Sequence, residues 1–207
     1  MLNRAEPERR FIVDHTSSHG PTATHIRGTM LVSSLENLRE LGLYERYSVL
    51  LSSEHREAIT YCIAASWVPM NIALAHYQTV EEMGLDDDQR RRLGELMADR
   101  IAATFLSAVL RATRSAGIAS FGPALKHNDR LYDRMYQGGG VRVFQTGPKD
   151  IVWETLGVPL AQCRYWRTAF SSYLGAIVRM FTKTAFVKQV HPLEPHPFSI
   201  AFAVSWV

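Results

Sequence analysis

A chain of 207 residues is long enough for one domain with a substantial core. Apolar residues at 46% and charged residues at 21% are ordinary for a globular protein and exclude an intrinsically disordered chain. The net charge of +3 is too small by itself to point to nucleic acid, and no apolar run reaches the ~20 residues of a membrane-spanning helix.

In chain order, Met1 to Arg10 is polar and lacks the apolar core of a signal peptide, so a cytoplasmic protein is expected. Phe11-Ile12-Val13 reads as a short anchoring strand, and the turn formers from Asp14 onward read as a loop. Residues 1–27 are thus expected to form an N-terminal arm, with residues 28–207 a single α+β domain. The pattern turns helical after Gly28, with Ser34 as N-cap, Leu35, Leu38 and Leu41 on one face, and Gly42 as the stop. A short helix follows over Tyr44–Leu51. Ser52-Ser53 with Glu54 and Glu57 starts the next, which leads to Ile59, Cys62, Ile63 and Ser66-Trp67. Pro69 suits the first turn of a helix carrying Ile72, Ala73, Ala75, His76, Val80 and Met83, ended by Gly84. Asp86-Asp87-Asp88 opens the longest helix, to about Thr113, its charges complementing the positive end of the macrodipole. Leu93, Leu96, Met97, Ile101, Thr104, Phe105, Ala108 and Val109 make its apolar face. Pro123 begins a helix through Leu131, Met135 and Tyr136 that stops at Gly138-Gly139-Gly140.

The hydrophobic period then changes from about 3.6 to 2. Val141–Thr146 and Ile151–Leu156 flank the turn Gly147-Pro148-Lys149-Asp150, a hairpin by its turn chemistry. Pro159 precedes a helix with Cys163, Trp166, Phe170, Leu174, Ile177 and Phe181 on one side and Arg164, Arg167, Ser171, Arg179 and Lys183 on the other. Phe186–Val190 and Phe198–Trp206 form a second hairpin. In the last strand Phe198, Ile200, Phe202, Val204 and Trp206 alternate with small residues, which predicts one bulky and one small face. The predicted fold class is α+β: an N-terminal helical layer followed by a ββαββ antiparallel sheet unit.

Each chemical candidate meets a plainer explanation. His15 and His19 have metal-ligand spacing only on a helix, and the intervening Thr-Ser-Ser argues for a solvated loop. His76 sits among apolar neighbours and reads as a satisfied core histidine more readily than as a haem ligand. Cys62 and Cys163 fit no metal spacing and no nucleophile motif, so they read as reduced core thiols. Acylation of Cys62 would require an apolar cavity beside it. Gly138-Gly139-Gly140 follows a helix and precedes a strand, the reverse of a phosphate loop, and reads as a flexible hinge. Arg90-Arg91-Arg92 follows three aspartates and reads as a neutralised helical face. Arg164-Tyr165-Trp166-Arg167 interleaves basic and aromatic residues as single-strand binders do, but helical geometry turns the tryptophan inward. No metal site, catalytic set or cofactor is expected, and the chain is expected not to be an enzyme.

The element order, several helices and then strand–strand–helix–strand–strand, resembles the superfamily of haem-nitric-oxide-binding domains, Bet3-type subunits of the TRAPP tethering complex and bacterial 4-vinyl-reductase (V4R) domains. Ile26-Arg27-Gly28 through Leu43, Ala65-Ser66-Trp67-Val68-Pro69 and Met83-Gly84-Leu85 are similar to an uncharacterised myxobacterial paralogous family. The resemblance implies a sensor or scaffold that binds small hydrophobic molecules, acyl chains or haem and often dimerises. The chain has no Tyr-x-Ser-x-Arg haem-propionate motif and no C-terminal cysteine-rich pattern. The expected function is a non-catalytic, sensor-type module for a small hydrophobic ligand. Trp67, Phe105, Trp166, Phe170 and Tyr173 would line its pocket, and His76 and Arg164 would be polar anchors. The alternative is a protein-interaction scaffold or homodimer with a solid core; neither a nucleic-acid partner nor a membrane span is expected.

Overall fold

The computed structural model describes residues 10–101, 121, 125–194 and 196–207. Its elements in chain order begin with strands β1 (Arg10–Thr16) and β2 (His25–Arg27). Helices α1 (Gly28–Glu40), α2 (Tyr44–Leu50) and α3 (Ser53–Thr60), strand β3 (Trp67–Pro69), and helices α4 (Met70–Glu82) and α5 (Asp87–Ile101) follow. After α6 (Asn128–Met135) come β4 (Tyr136–Gln137), β5 (Gly140–Gly147) and β6 (Asp150–Leu156). A 3-10 turn (Pro159–Gln162) leads into α7 (Arg164–Arg179), and β7 (Ala185–Val190) and β8 (Ile200–Trp206) close the chain. This is the α+β arrangement expected, with the ββαββ unit at its C-terminal end.

The main sheet is antiparallel with strand order β1-β5-β6-β8-β7, and a second sheet has the order β3-β2-β4. Both hairpins form as the alternation predicts, and β8 lies between β6 and β7. Its bulky face turns to α7, where Phe202 and Phe170 rings approach to 5.7 Å. Burying such a face is the dominant reward for placing the helix there.

Residues 10–27 do not stand apart. β1 pairs with β5 as an edge strand, and β2 is the middle strand of the small sheet. The loop between them is tied down by backbone bonds from Ser17 N to Gly139 O, Ala23 N to Gly157 O and Thr24 N to Gln137 O, each 2.8 Å. The triple glycine is accordingly a crossing point and not a flexible hinge. Gly138 has φ +89°, and a Cβ there would lie 2.2 Å from the Thr22 carbonyl oxygen. Only glycine allows both that backbone and that approach.

Two local expectations are corrected. Ser34 is not an N-cap: α1 starts at Gly28, and Ser34 lies buried in its middle. Trp67 continues no helix, because residues 67–69 pair as β3 with β2, and Pro69 caps α4 from outside. The helix predicted from Asp86 to about Thr113 is seen as α5 up to Ile101, and its remainder lies outside the described residues. α5 is held to α1 by Arg100, which donates to Asn37 Oδ1 (2.6 Å), Glu36 (2.8 Å) and Glu40 (2.9 Å).

Candidate ligand cleft between the helical layer and α7

The inward face of α7 meets the helical layer in a stack of rings. Trp166 and Phe170 lie parallel with centroids 4.7 Å apart, and Phe170 reaches Tyr173 at 5.7 Å. From α4, Tyr77 meets Tyr165 at 5.9 Å. Spacing of three and four residues along α7 brings these rings to one side, as a helix requires. α5 comes close enough to complete the wall because Gly94 has no side chain. A Cβ at Gly94 would lie 2.1 Å from the carbonyl oxygen of Ala169.

These residues enclose a half-open apolar cleft, whose lining includes Met30 of α1, Tyr77, Met97 of α5, Trp166, Phe170 and Tyr173. Its volume is about 30 Å³, roughly the share of one water molecule in the liquid. The rings fill most of the space between the layers, and two methionines flank what is left. Methionine is the residue best able to change shape there, being unbranched and flexible. Burial pushes the Tyr165 hydroxyl up to about 12 and raises Tyr77 and Tyr173 as well. All three therefore remain neutral hydrogen-bonding groups at physiological pH.

His76 lies behind this wall, fully buried. Tyr47 Oη is 2.7 Å from its Nδ1, and Ser34 Oγ is 2.9 Å from its Nε2. One ring nitrogen of the neutral imidazole donates and the other accepts, so both are engaged. Burial lowers its pKa from 6.5 to about 3. His76 is thus a satisfied core histidine, as its apolar surroundings implied; it does not line the cleft, and its ring lies 4.9 Å from that of Tyr77.

The other expected site residues separate. Trp166, Phe170 and Tyr173 are brought together in the cleft. Trp67 is remote from it, half-buried in β3 under the Arg27 guanidinium, 3.9 Å from the ring centroid. Arg164 points the opposite way, exposed on α7, and pairs with Asp87 at 3.3 Å. Phe105 lies outside the described residues. The lining also holds Met30, Tyr77, Leu93, Gly94, Met97, Tyr165 and Ala169, which were not among the expected site residues. A glycine inside a strong helical pattern was the available signal for Gly94, since it costs helix stability unless something packs against it.

Neither cysteine is activated. Burial raises the Cys62 thiol, and it pushes Cys163 up to about 11, so both are protonated at neutral pH. Cys62 is half-buried after α3 and Cys163 precedes α7, which corrects their placement inside helices. His15 lies in β1 and bonds Asp133 at 2.8 Å. Among the described residues no group of three His, Cys, Asp or Glu side chains has metal-binding geometry, and no helix is long and apolar enough to cross a membrane.

No family model and no curated protein matches this chain. Solved structures do match. The unliganded Fe(II) H-NOX protein from K. algicida superposes with a TM-score of 0.59 at 8% identity, over 88% of this chain and 97% of that one. The fold is H-NOX-like. A point mutant of the T. tengcongensis H-NOX gives 0.56 at 13% identity, over 87% and 97% of the two chains. An oxygen-binding H-NOX domain related to soluble guanylate cyclases gives 0.55 at 12%, over 87% and 95%. Of the resemblances read in the sequence, the haem-nitric-oxide-binding branch is the one these structures support for the fold.

The described residues do not fit a haem. His76, their one buried histidine, already uses both ring nitrogens. The interlayer cleft holds about 30 Å³, far below the ~300 Å³ at which pockets for drug-sized ligands begin.

Proposed function

We propose that this H-NOX-like domain is a non-catalytic sensor module that binds a small apolar molecule, without haem, in the cleft between α1, α4, α5 and α7. The observation that carries this reading is the cleft itself: aromatic walls, neutral tyrosines and two flexible methionines at the junction of the two halves of the fold. Apolar clefts with a few polar groups are the usual form of small-molecule sites. A single aromatic ring needs more room than about 30 Å³, so its entry requires the flexible Met30 and Met97 to move aside. The raised thiols, the neutral His76 and the lack of a metal cluster among the described residues support a binding role over catalysis.

The test uses methyl-labelled methionine and two probes, xenon and phenol. Shifts confined to Met30 and Met97, saturable and lost in Ala169→Leu, are the expected result. Native mass spectrometry and haem titration accompany it, with no Soret band expected. Absence of any shift with both probes overturns the reading in favour of a solid-core scaffold. A Soret band with histidine ligation, abolished in His76→Gln, overturns its haem-free character.

A further inference from the structure

The outward face of α7 carries a different feature, which the apolar cleft leaves unused. A polar groove of about 410 Å³ runs between α7, the start of α5 and the β7–β8 ribbon. Arg164, Arg167, Thr168, Ser171 and Ser172 line it from α7, and Arg91 from α5. Gln189 of β7 adds an amide, while half-buried Val187 supplies an apolar edge, with Phe202 fully buried behind it. Helical spacing explains the set, because 164, 167, 168 and 171 share one face while 165, 166, 169, 170 and 173 share the other. This is the Arg164–Arg167 segment in which the sequence interleaves arginine with aromatics. Tyr165 and Trp166 are buried, so only the arginines reach the groove.

The charges around the groove do not cancel. Asp87 Oδ1 accepts from Arg90 at 2.8 Å and from Arg164 at 3.3 Å, so one carboxylate is shared by two guanidinium groups. Asp88 takes Arg91 at 2.6 Å. Arg167 has no carboxylate partner among the described residues; its Nη1 donates to the carbonyls of Ala161 (2.9 Å) and Gln162 (2.8 Å). Of the three arginines lining the groove, only Arg91 has a carboxylate to itself; Arg164 shares Asp87 with the buried Arg90, and Arg167 has none among the described residues. The carbonyl bonds hold the Arg167 fork in place, which lowers the entropy cost of engaging an anion. Hydroxyls of Thr168, Ser171 and Ser172 add donors for the remaining oxygens of such a ligand.

We propose that this groove is a binding site for a small organic phosphate monoester. A phosphate monoester carries nearly two negative charges at pH 7 and three acceptor oxygens, which suits two arginines without a carboxylate of their own and the hydroxyl donors beside them. A monocarboxylate brings one charge and two acceptor oxygens, and so engages fewer of these donors. The organic part lies against Val187. The site is on the opposite side of α7 from the apolar cleft and stands independently of any ligand there.

Phenyl phosphate, inorganic phosphate and phenol are the probes, titrated at physiological salt and followed by backbone amide shifts. Phenyl phosphate is expected to bind with shifts confined to residues 164–172 and 187–189, more tightly than inorganic phosphate, and phenol is expected not to bind there. Arg167→Gln and Arg164→Gln should each weaken phenyl phosphate about tenfold, the value of one charge-assisted contact. Arg164→Gln removes no backbone contact, so it remains informative if Arg167→Gln disturbs the 3-10 turn. Arg179→Gln, a nearby surface arginine paired with Glu95 at 3.0 Å and outside the groove lining, should leave binding unchanged. No saturable shift with phenyl phosphate overturns the proposal. Equal weakening by Arg179→Gln, or equal binding of sulfate and a single-stranded oligonucleotide, also overturns it and marks the face as a non-selective basic patch.

Discussion

The two faces of α7 border spaces of opposite kind. Inward, five aromatic rings and two methionines leave about 30 Å³; outward, arginines and hydroxyls border about 410 Å³. The difference follows from what each kind of side chain gains by closing a gap. Apolar groups lose roughly 24 cal/mol for every Å³ of void left in a core, so an aromatic face packs until little remains. Guanidinium groups repel one another, so a face that gathers three arginines stays open. On α7, the wide opening therefore marks charge, and the narrow one marks shape.

The comparison breaks most readily at Phe170. Its ring stacks on Trp166, touches Tyr173 and meets Phe202 of the sheet, so it joins helix, cleft and sheet. Phe170→Ala is expected to lower unfolding free energy by about 3–5 kcal/mol. The neighbouring Ser171→Ala, on the groove side, should stay within about 0.5 kcal/mol. Urea denaturation of the two variants gives the answer directly. Equal losses would mean that the faces do not differ in the way their lining suggests.

Gly94 sharpens the inward side. Alanine at this position gains up to about 1 kcal/mol of helix propensity, yet its Cβ would lie 2.1 Å from the Ala169 carbonyl oxygen. Backbone cannot swing aside as a side chain can, so α5 and α7 must part. A net loss of about 1–3 kcal/mol is expected, the usual cost of overpacking. A stabilised Gly94→Ala variant would show that the two helices are not held at this distance in solution.

His76 tests whether the wall behind the cleft is as dry as its hydrogen bonds imply. Its pKa falls from 6.5 to about 3 on folding, so between those values the unfolded chain binds the extra proton. Stability therefore rises with pH across that window. On acidification below about pH 6.5 it should be lost at roughly 1 kcal/mol per pH unit from this group alone. Urea melts of the wild type and His76→Gln at pH 7.5, 6 and 5 isolate its share. Parallel losses in the two proteins would mean that His76 is hydrated or already protonated when folded.

How much of this was legible in the sequence differs by element. The ββαββ unit was readable because hairpin turns and strict alternation are local signals, and β8 alternates from Ile200 to Trp206; Phe198, read as the start of that strand, lies before it with φ +62°. Residues 10–27 were not, because β1 and β2 are strands by virtue of their partners β5, β3 and β4, and nothing local announces a long-range pairing. At the candidate site, Trp166, Phe170 and Tyr173 followed from one helical stripe. Met30, Tyr77 and Met97 come from three further helices, and no period in one segment reports which stripes will face each other. Trp67 shows the converse: an aromatic near an apolar helix was assigned to the cleft, whereas a cation–π contact with Arg27 keeps it in the small sheet. Arg164 was assigned as a polar anchor of the cleft, although its place on the α7 wheel is with Arg167 and Ser171.

Arg164 is also where the smallest effect on stability meets the sharpest test of the two faces. Its bond to Asp87 at 3.3 Å joins two largely exposed side chains, and Asp87 keeps Arg90 when Arg164 is removed. Such a surface pair contributes about 0–1 kcal/mol, so Arg164→Gln should melt within a degree or two of the wild type. Xenon binding at Met30 and Met97 should be unchanged, because the side chain lies across the helix from the cleft. Phenyl phosphate binding, in contrast, should weaken about tenfold. The variant thus separates an arginine that holds the fold from one that waits for an anion: a large drop in melting temperature assigns it the first role, and loss of phosphate binding alone assigns the second.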